Sequence, residues 1–190
     1  MFIRKNKYFF IIESIKDIDL KNIKKRDKFS IIYRNKNNIE HLCDLLNFRR
    51  TCKLKSIKFY VANNAKLAVL LNSDGIYMSA FNKSLKVLSL KKFNFTIIGS
   101  AHNLQEIIFK KKQGCKTILF SKLFLLNYDK KASYLGVIKF NNYLKINKNL
   151  IPLGGISINN LNYLNNVNSE GFALLSEIKK KPANIINRLF

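Results

Sequence analysis

Thr96–Phe120 reads TIIGSAHNLQEIIFKKKQGCKTILF, and the fold is decided by this stretch. Its ends, Thr96–Ser100 and Thr117–Phe120, are short apolar runs rich in β-branched residues. Its middle, Asn103–Lys112, repeats apolar residues at helical spacing. A strand, a helix and a second strand of this kind pack as a parallel βαβ unit. Working outward, further strands are expected at Tyr8–Glu13, Phe29–Tyr33, Lys58–Val61, Gly75–Met78, Ile151–Leu153 and Gly171–Leu174. Helices are expected at Ile39–Lys53, Asn64–Leu71, Ser133–Lys145, Asn159–Val167 and Pro182–Leu189. The connections Lys16–Lys24 and Lys83–Leu90 are short, and the sequence leaves their helices open. Eight strands exceed the five or six of most open doubly wound sheets. They predict an α/β chain closed as a compact (β/α)8 barrel, one domain over residues 1–190.

Composition narrows the function. Hydrophobic residues make up 47% of the 190-residue chain, enough for a full core, and no Pro/Gly/Ser-rich linker divides it. No apolar run reaches the roughly 20 residues that cross a bilayer, so no membrane span is expected. Tyr8–Ile12 follows Arg4, Lys5 and Lys7, but it is short and runs into Glu13, Asp17 and Asp19; it reads as a first core strand rather than a signal peptide. Cys43, Cys52 and Cys115 are odd in number and lack CxxC spacing, which fits reduced thiols and a cytoplasmic location. The net charge of +24 raises the question of nucleic acid. The lysines, however, are spread along the chain beside abundant Asn and Ile, which share A/T-rich codons. Codon drift accounts for the excess, so a nucleic-acid partner is not expected, although the charge should steer small anions. Oligomeric state is left open.

Four loops at expected strand ends carry candidate chemistry. Pro152-Leu153-Gly154-Gly155-Ile156-Ser157 follows the seventh strand, and adjacent glycines let backbone amides approach a phosphate. A plain tight turn is the alternative reading. The loop after the eighth strand offers Ser176, and barrels commonly bind phosphate between these two loops. After the second strand, Arg34 and Lys36 would bring a guanidinium and an ammonium to the mouth, a pair suited to a diphosphate, or else form a solvated basic loop. After the fifth strand, Ser100 or His102 would cap the next helix or touch ligand, and the histidine could move a proton. Lys122 and Lys130, after the sixth strand, would reach an anion or simply face solvent.

Together these pieces resemble the thiamine-phosphate synthase and thiazole tautomerase family, from Tyr8 nearly to Glu177. The family's opening strand is similar to Phe9-Phe10-Ile11-Ile12, and its Q-L-R-E-K motif to Ile32-Tyr33-Arg34-Asn35-Lys36. N-D-R-x-D-L-A resembles Ala62-Asn63-Asn64-Ala65-Lys66-Leu67-Ala68, and A-D-G-V-H-L-G resembles Ser73-Asp74-Gly75-Ile76-Tyr77-Met78-Ser79. I-G-V-S-x-H is similar to Ile98-Gly99-Ser100-Ala101-His102 with one residue missing. A-x-G-G-I and V-V-S-A-I resemble Leu153-Gly154-Gly155-Ile156 and Leu174-Leu175-Ser176-Glu177-Ile178.

The resemblance implies an enzyme of thiamine biosynthesis joining a hydroxymethylpyrimidine diphosphate to a thiazole phosphate with release of pyrophosphate. Gly154, Gly155 and Ser176 would hold the thiazole phosphate, and Arg34 and Lys36, with Ser100, the diphosphate. The family's magnesium is held by two aspartates, whose positions are Asn63 and Asn82 here, so no metal ligand is retained. The resemblance places Lys122 where the tautomerase has a catalytic histidine; beside a diphosphate, this lysine would replace part of the missing metal's charge. A non-catalytic protein binding a phosphorylated ligand is the alternative.

Overall fold

The computed structural model describes residues 5–23, 26–35, 40–126, 131 and 133–176. Eight parallel strands close into a barrel in chain order. They are β1 (Lys7–Ile12), β2 (Phe29–Tyr33), β3 (Lys58–Ala62), β4 (Gly75–Met78), β5 (Thr96–Ala101), β6 (Thr117–Ser121), β7 (Leu150–Leu153) and β8 (Gly171–Leu174). Among the described residues, four α-helices pack outside: α1 (Leu42–Leu54), α2 (Ala65–Leu70), α3 (Leu104–Lys112) and α4 (Gly136–Ile146).

Nearly every strand residue is buried, because a parallel barrel strand faces side chains on both sides. Alternation sorts them. Ile11, Ile32, Tyr60, Tyr77, Ile98 and Leu119 cluster in the barrel interior. Phe10, Ile31, Phe59, Ile97 and Phe120 belong to the larger cluster shared with the helices. At the N-terminal end, Arg49 of α1 pairs with Asp74 at 3.3 Å, and Asp74 also accepts from the Phe59 amide at 2.7 Å. That end is therefore a stapled base, and the opposite end carries the open loops.

The connections depart from a helix after every strand. Where a helix is expected at Asn159–Val167, residues 158–166 form a 3-10 segment, and residues 85–93 do the same. The cause is legible in hindsight: Leu161, Leu164 and Val167 are buried at strict spacings of three, as are Val87 and Leu90. That period suits three residues per turn, and asparagine, abundant in 158–166, is a weak helix former. The connection after β1 likewise holds short 3-10 turns at Ile15–Asp17 and Leu20–Asn22. The expected helix Pro182–Leu189 lies outside the described residues.

Adjacent strands pair over three to five residues around most of the barrel. The exception is β7 with β8, which meet at one pair, Leu153↔Ala173. Pro152 contributes here, having no N–H to offer either neighbour. No helix among the described residues is long and apolar enough to cross a membrane.

The thiols follow from the packing. Burial pushes the Cys52 thiol up to about 12 and the Cys115 thiol to about 11, whereas Cys43 is exposed. Iodoacetamide near neutral pH should therefore modify Cys43 alone in the folded chain and all three cysteines in denaturant. Mass spectrometry of the alkylated protein reads this directly. Equally fast modification of Cys52 would show that the contact of α1 with the sheet is not as described.

Candidate active site

At the C-terminal rim, Arg34, His102, Lys122, Gly154, Gly155 and Ser176 border one cleft, with apolar Leu126, Leu153, Ile156, Ala173 and Leu175 between them. Five strand ends, those of β2, β5, β6, β7 and β8, thus bring their charged or polar groups together. Arg34 lies two residues past the interior-facing Ile32 and so continues the inner face of β2. Its amide donates to Ile12 O at 2.8 Å, which ties the position to β1. Its side chain has no ion-pair partner among the described residues.

Gly154 and Gly155 both take the left-handed conformation, with φ of 91° and 71°. Part of the reason for glycine at this pair is internal to the turn. The loop after β6 lies against them: Leu123 N donates to Leu153 O at 2.9 Å and Phe124 N to Gly154 O at 3.1 Å. A Cβ on Gly155 would sit 2.3 Å from Phe124 O. Asn160 fixes the following peptide by donating to Gly155 O at 2.7 Å while accepting from Ser157 N at 2.8 Å. The amides of Gly155 and Ile156 have no acceptor among the described residues, so donors remain beside the cleft. Close backbone packing and a pair of unspent amides coexist in one loop. Ser176, across the cleft, is exposed.

Not every candidate converges. Ser100 is buried beneath the cleft, on the interior side near Tyr77, whose hydroxyl pKa is raised by burial. It does not border the cleft; His102, two residues on, takes the rim. His102 does not cap α3: Asn103 does, accepting from Glu106 N at 2.9 Å. Glu106 instead holds His102, accepting from its amide at 2.7 Å and meeting its Nδ1 at 3.2 Å. The exposed ring of Phe81 flanks His102 at 6.1 Å between centroids, an arrangement the sequence did not suggest. Lys36 and Lys130 lie outside the described residues.

Asn63 and Asn82 meet at the rim above β3 and β4. Asn82 Nδ2 donates to Asn63 Oδ1 at 3.1 Å, and the same oxygen accepts from Ser79 N at 3.0 Å. Asn63 Nδ2 donates to Ser79 Oγ at 3.1 Å, and Asn82 Oδ1 accepts from Ser84 N at 3.0 Å. These side-chain groups are committed to one another and are neutral, a donor set that does not fit a hard dication preferring carboxylate oxygens. Among the described residues there is also no group of three or more His, Cys, Asp or Glu placed to hold a metal.

A closed eight-stranded barrel with its cleft over the C-terminal strand ends is the architecture of the (β/α)8 barrel enzymes. Within that class, the family model described as thiamine monophosphate synthase matches residues 13–178, and the chain belongs to this family. A thiamine-phosphate synthase of Prochlorococcus marinus (strain AS9601) is 28% identical over 178 residues, covering 92% of this chain and 49% of that protein. The chain thus spans about half the length of this relative. The thiamine-phosphate synthase of Clostridioides difficile (strain 630) is 24% identical over 151 residues, 77% of this chain and 71% of that one. Among solved structures, a thiamine phosphate pyrophosphorylase from Pyrococcus furiosus superposes with a TM-score of 0.72 at 16% identity, covering 97% of this chain and 95% of that one. This last likeness concerns the fold alone.

Proposed function

We propose that the chain acts in thiamine biosynthesis as a transferase that joins a hydroxymethylpyrimidine diphosphate to a thiazole phosphate. The observation that carries this reading is the convergence of Arg34, Lys122, Gly154, Gly155 and Ser176 on one cleft. Gly154, Gly155 and Ser176 would hold the thiazole phosphate through backbone amides and a hydroxyl. Arg34, with Lys36, would hold the diphosphate, and Lys122 would add charge from the loop after β6.

The chemistry needs little more than placement and charge. The bond between the pyrimidine methylene carbon and the diphosphate oxygen breaks, and pyrophosphate departs with the electron pair. The thiazole nitrogen lone pair then closes the new C–N bond, leaving the positive charge on the thiazolium. No proton changes hands in that exchange. Cations gathered on the leaving group lower the barrier, because negative charge accumulates there as the bond breaks.

Purified protein incubated with both substrates should form thiamine phosphate and pyrophosphate in equal amounts above a protein-free control. The neutral Asn63–Asn82 pair favours a second reading, a binder of phosphorylated ligands without turnover. Saturable binding of thiamine phosphate with no product formed would select the binder. Neither product nor binding would end both.

A further inference from the structure

The loop of residues 79–84 carries Asn82 to the rim, and two independent devices hold it. Above it lies the Asn63–Asn82 amide pair. Beneath it lies Lys110 of α3, only 1% exposed. The Lys110 ammonium donates to Ser79 O at 2.7 Å, Asn82 O at 2.8 Å and Gln113 Oε1 at 2.8 Å. Gln113 Nε2 adds bonds to Asn82 O at 3.0 Å and Ser84 O at 2.8 Å. A buried charge persists only when its donors are satisfied, and all three ammonium hydrogens have oxygen acceptors here.

We propose that this chain organises its 79–84 loop without a divalent cation, using the Asn63–Asn82 amide pair above and the Lys110 ammonium below, and that its rim neither binds nor requires magnesium. The two facing side chains are complementary to each other. With a carboxylate at both positions, two anionic oxygens would face each other at about hydrogen-bond distance, a repulsion that a cation between them, or a shared proton, would relieve. With an amide at both, the donor hydrogen of Asn82 occupies that gap and no net charge remains to attract an ion. The carbonyls of Ser79 and Asn82 are taken by Lys110 and Gln113, which leaves them no need for a metal or water. The loop is thus closed on both sides by groups the chain supplies itself. The inference concerns the rim's metal requirement, and it stands or falls separately from the transferase reading because metal binding is measured without turnover.

The test is a manganese titration of the intact protein followed by electron paramagnetic resonance of free Mn2+, beside melting curves in magnesium and in chelator. The wild-type chain should retain no stoichiometric Mn2+ up to about 1 mM, the weak end of carboxylate-built sites. Its melting temperature should be the same in both solutions. The double variant Asn63→Asp with Asn82→Asp should bind one Mn2+ at least tenfold more tightly than wild type. It should also melt lower in chelator and recover when magnesium is added. Lys110→Met should speed amide exchange in residues 79–84 more than in the rest of the barrel, with Mn2+ binding still absent. One Mn2+ held by the wild-type protein and displaced by magnesium would overturn the proposal. A double variant that folds yet gains no site would overturn the assignment of the amide pair, and unchanged exchange in Lys110→Met would overturn that of the ammonium.

Discussion

Replacing Arg34 with methionine is expected to weaken pyrophosphate binding about 100-fold, while the melting temperature stays within about 2 °C of wild type. The guanidinium borders the cleft and has no ion-pair partner among the described residues, so its removal orphans no carboxylate. Folding loses little, and a chain of net charge +24 loses one repulsive centre. Binding loses a charged, two-pronged donor in a partly enclosed site, where truncation costs about 2–5 kcal/mol, and 100-fold corresponds to about 2.7 kcal/mol. Arg34→Lys should fall between, near tenfold, because the charge stays while the planar fork is lost. Isothermal titration with pyrophosphate, in magnesium-free buffer of fixed ionic strength, reads both variants. Affinity unchanged in Arg34→Met would place the diphosphate elsewhere.

Gly155→Ala should cost about 4 kcal/mol, lowering the melting temperature by roughly 10 °C, and abolish measurable phosphate binding. Two penalties combine. The left-handed backbone at φ of 71° is unfavourable for any residue with a Cβ, by about 1–2 kcal/mol. The added carbon would also lie 2.3 Å from Phe124 O and 2.6 Å from Leu125 O, both backbone atoms that yield only if the loop after β6 moves. Gly136→Ala isolates the first penalty: its φ is 70°, yet a Cβ there meets nothing within 4 Å. This control should lose only about 1–2 kcal/mol and keep its ligand affinity. Equal denaturation midpoints for the two variants would mean that the Phe124 contact is not as close as described.

Much of the barrel was legible because parallel strands buried on both faces write themselves as unbroken apolar runs. Phe29–Tyr33, Gly75–Met78 and Gly171–Leu174 match their expected limits for that reason. The connections were less legible: the three-residue spacing of Leu161, Leu164 and Val167 stands out from neighbouring Ile158 and Tyr163 only once packing shows which side chains are buried. Within the site, Arg34, Lys122, the glycine pair and Ser176 follow from knowing which end of each strand is the rim. Ser100 shows the limit of that rule, since β5 runs one residue past its expected end and leaves the hydroxyl a layer below the surface. Lys110 was invisible to it. The three lysines that end α3, Lys110, Lys111 and Lys112, look like solvated surface until the helix docks and one of them turns inward.

The seam between β7 and β8, joined by the single pair Leu153↔Ala173, lies directly under the two loops that flank the cleft. An anion gripped from both sides would act as a rivet across the barrel's loosest join, adding from outside the cross-links that Pro152 withholds within. Occupancy would then be felt as a stiffer cylinder, with breathing at Leu153 and Ala173 slowed first, so the ligand would complete the hoop as well as occupy it.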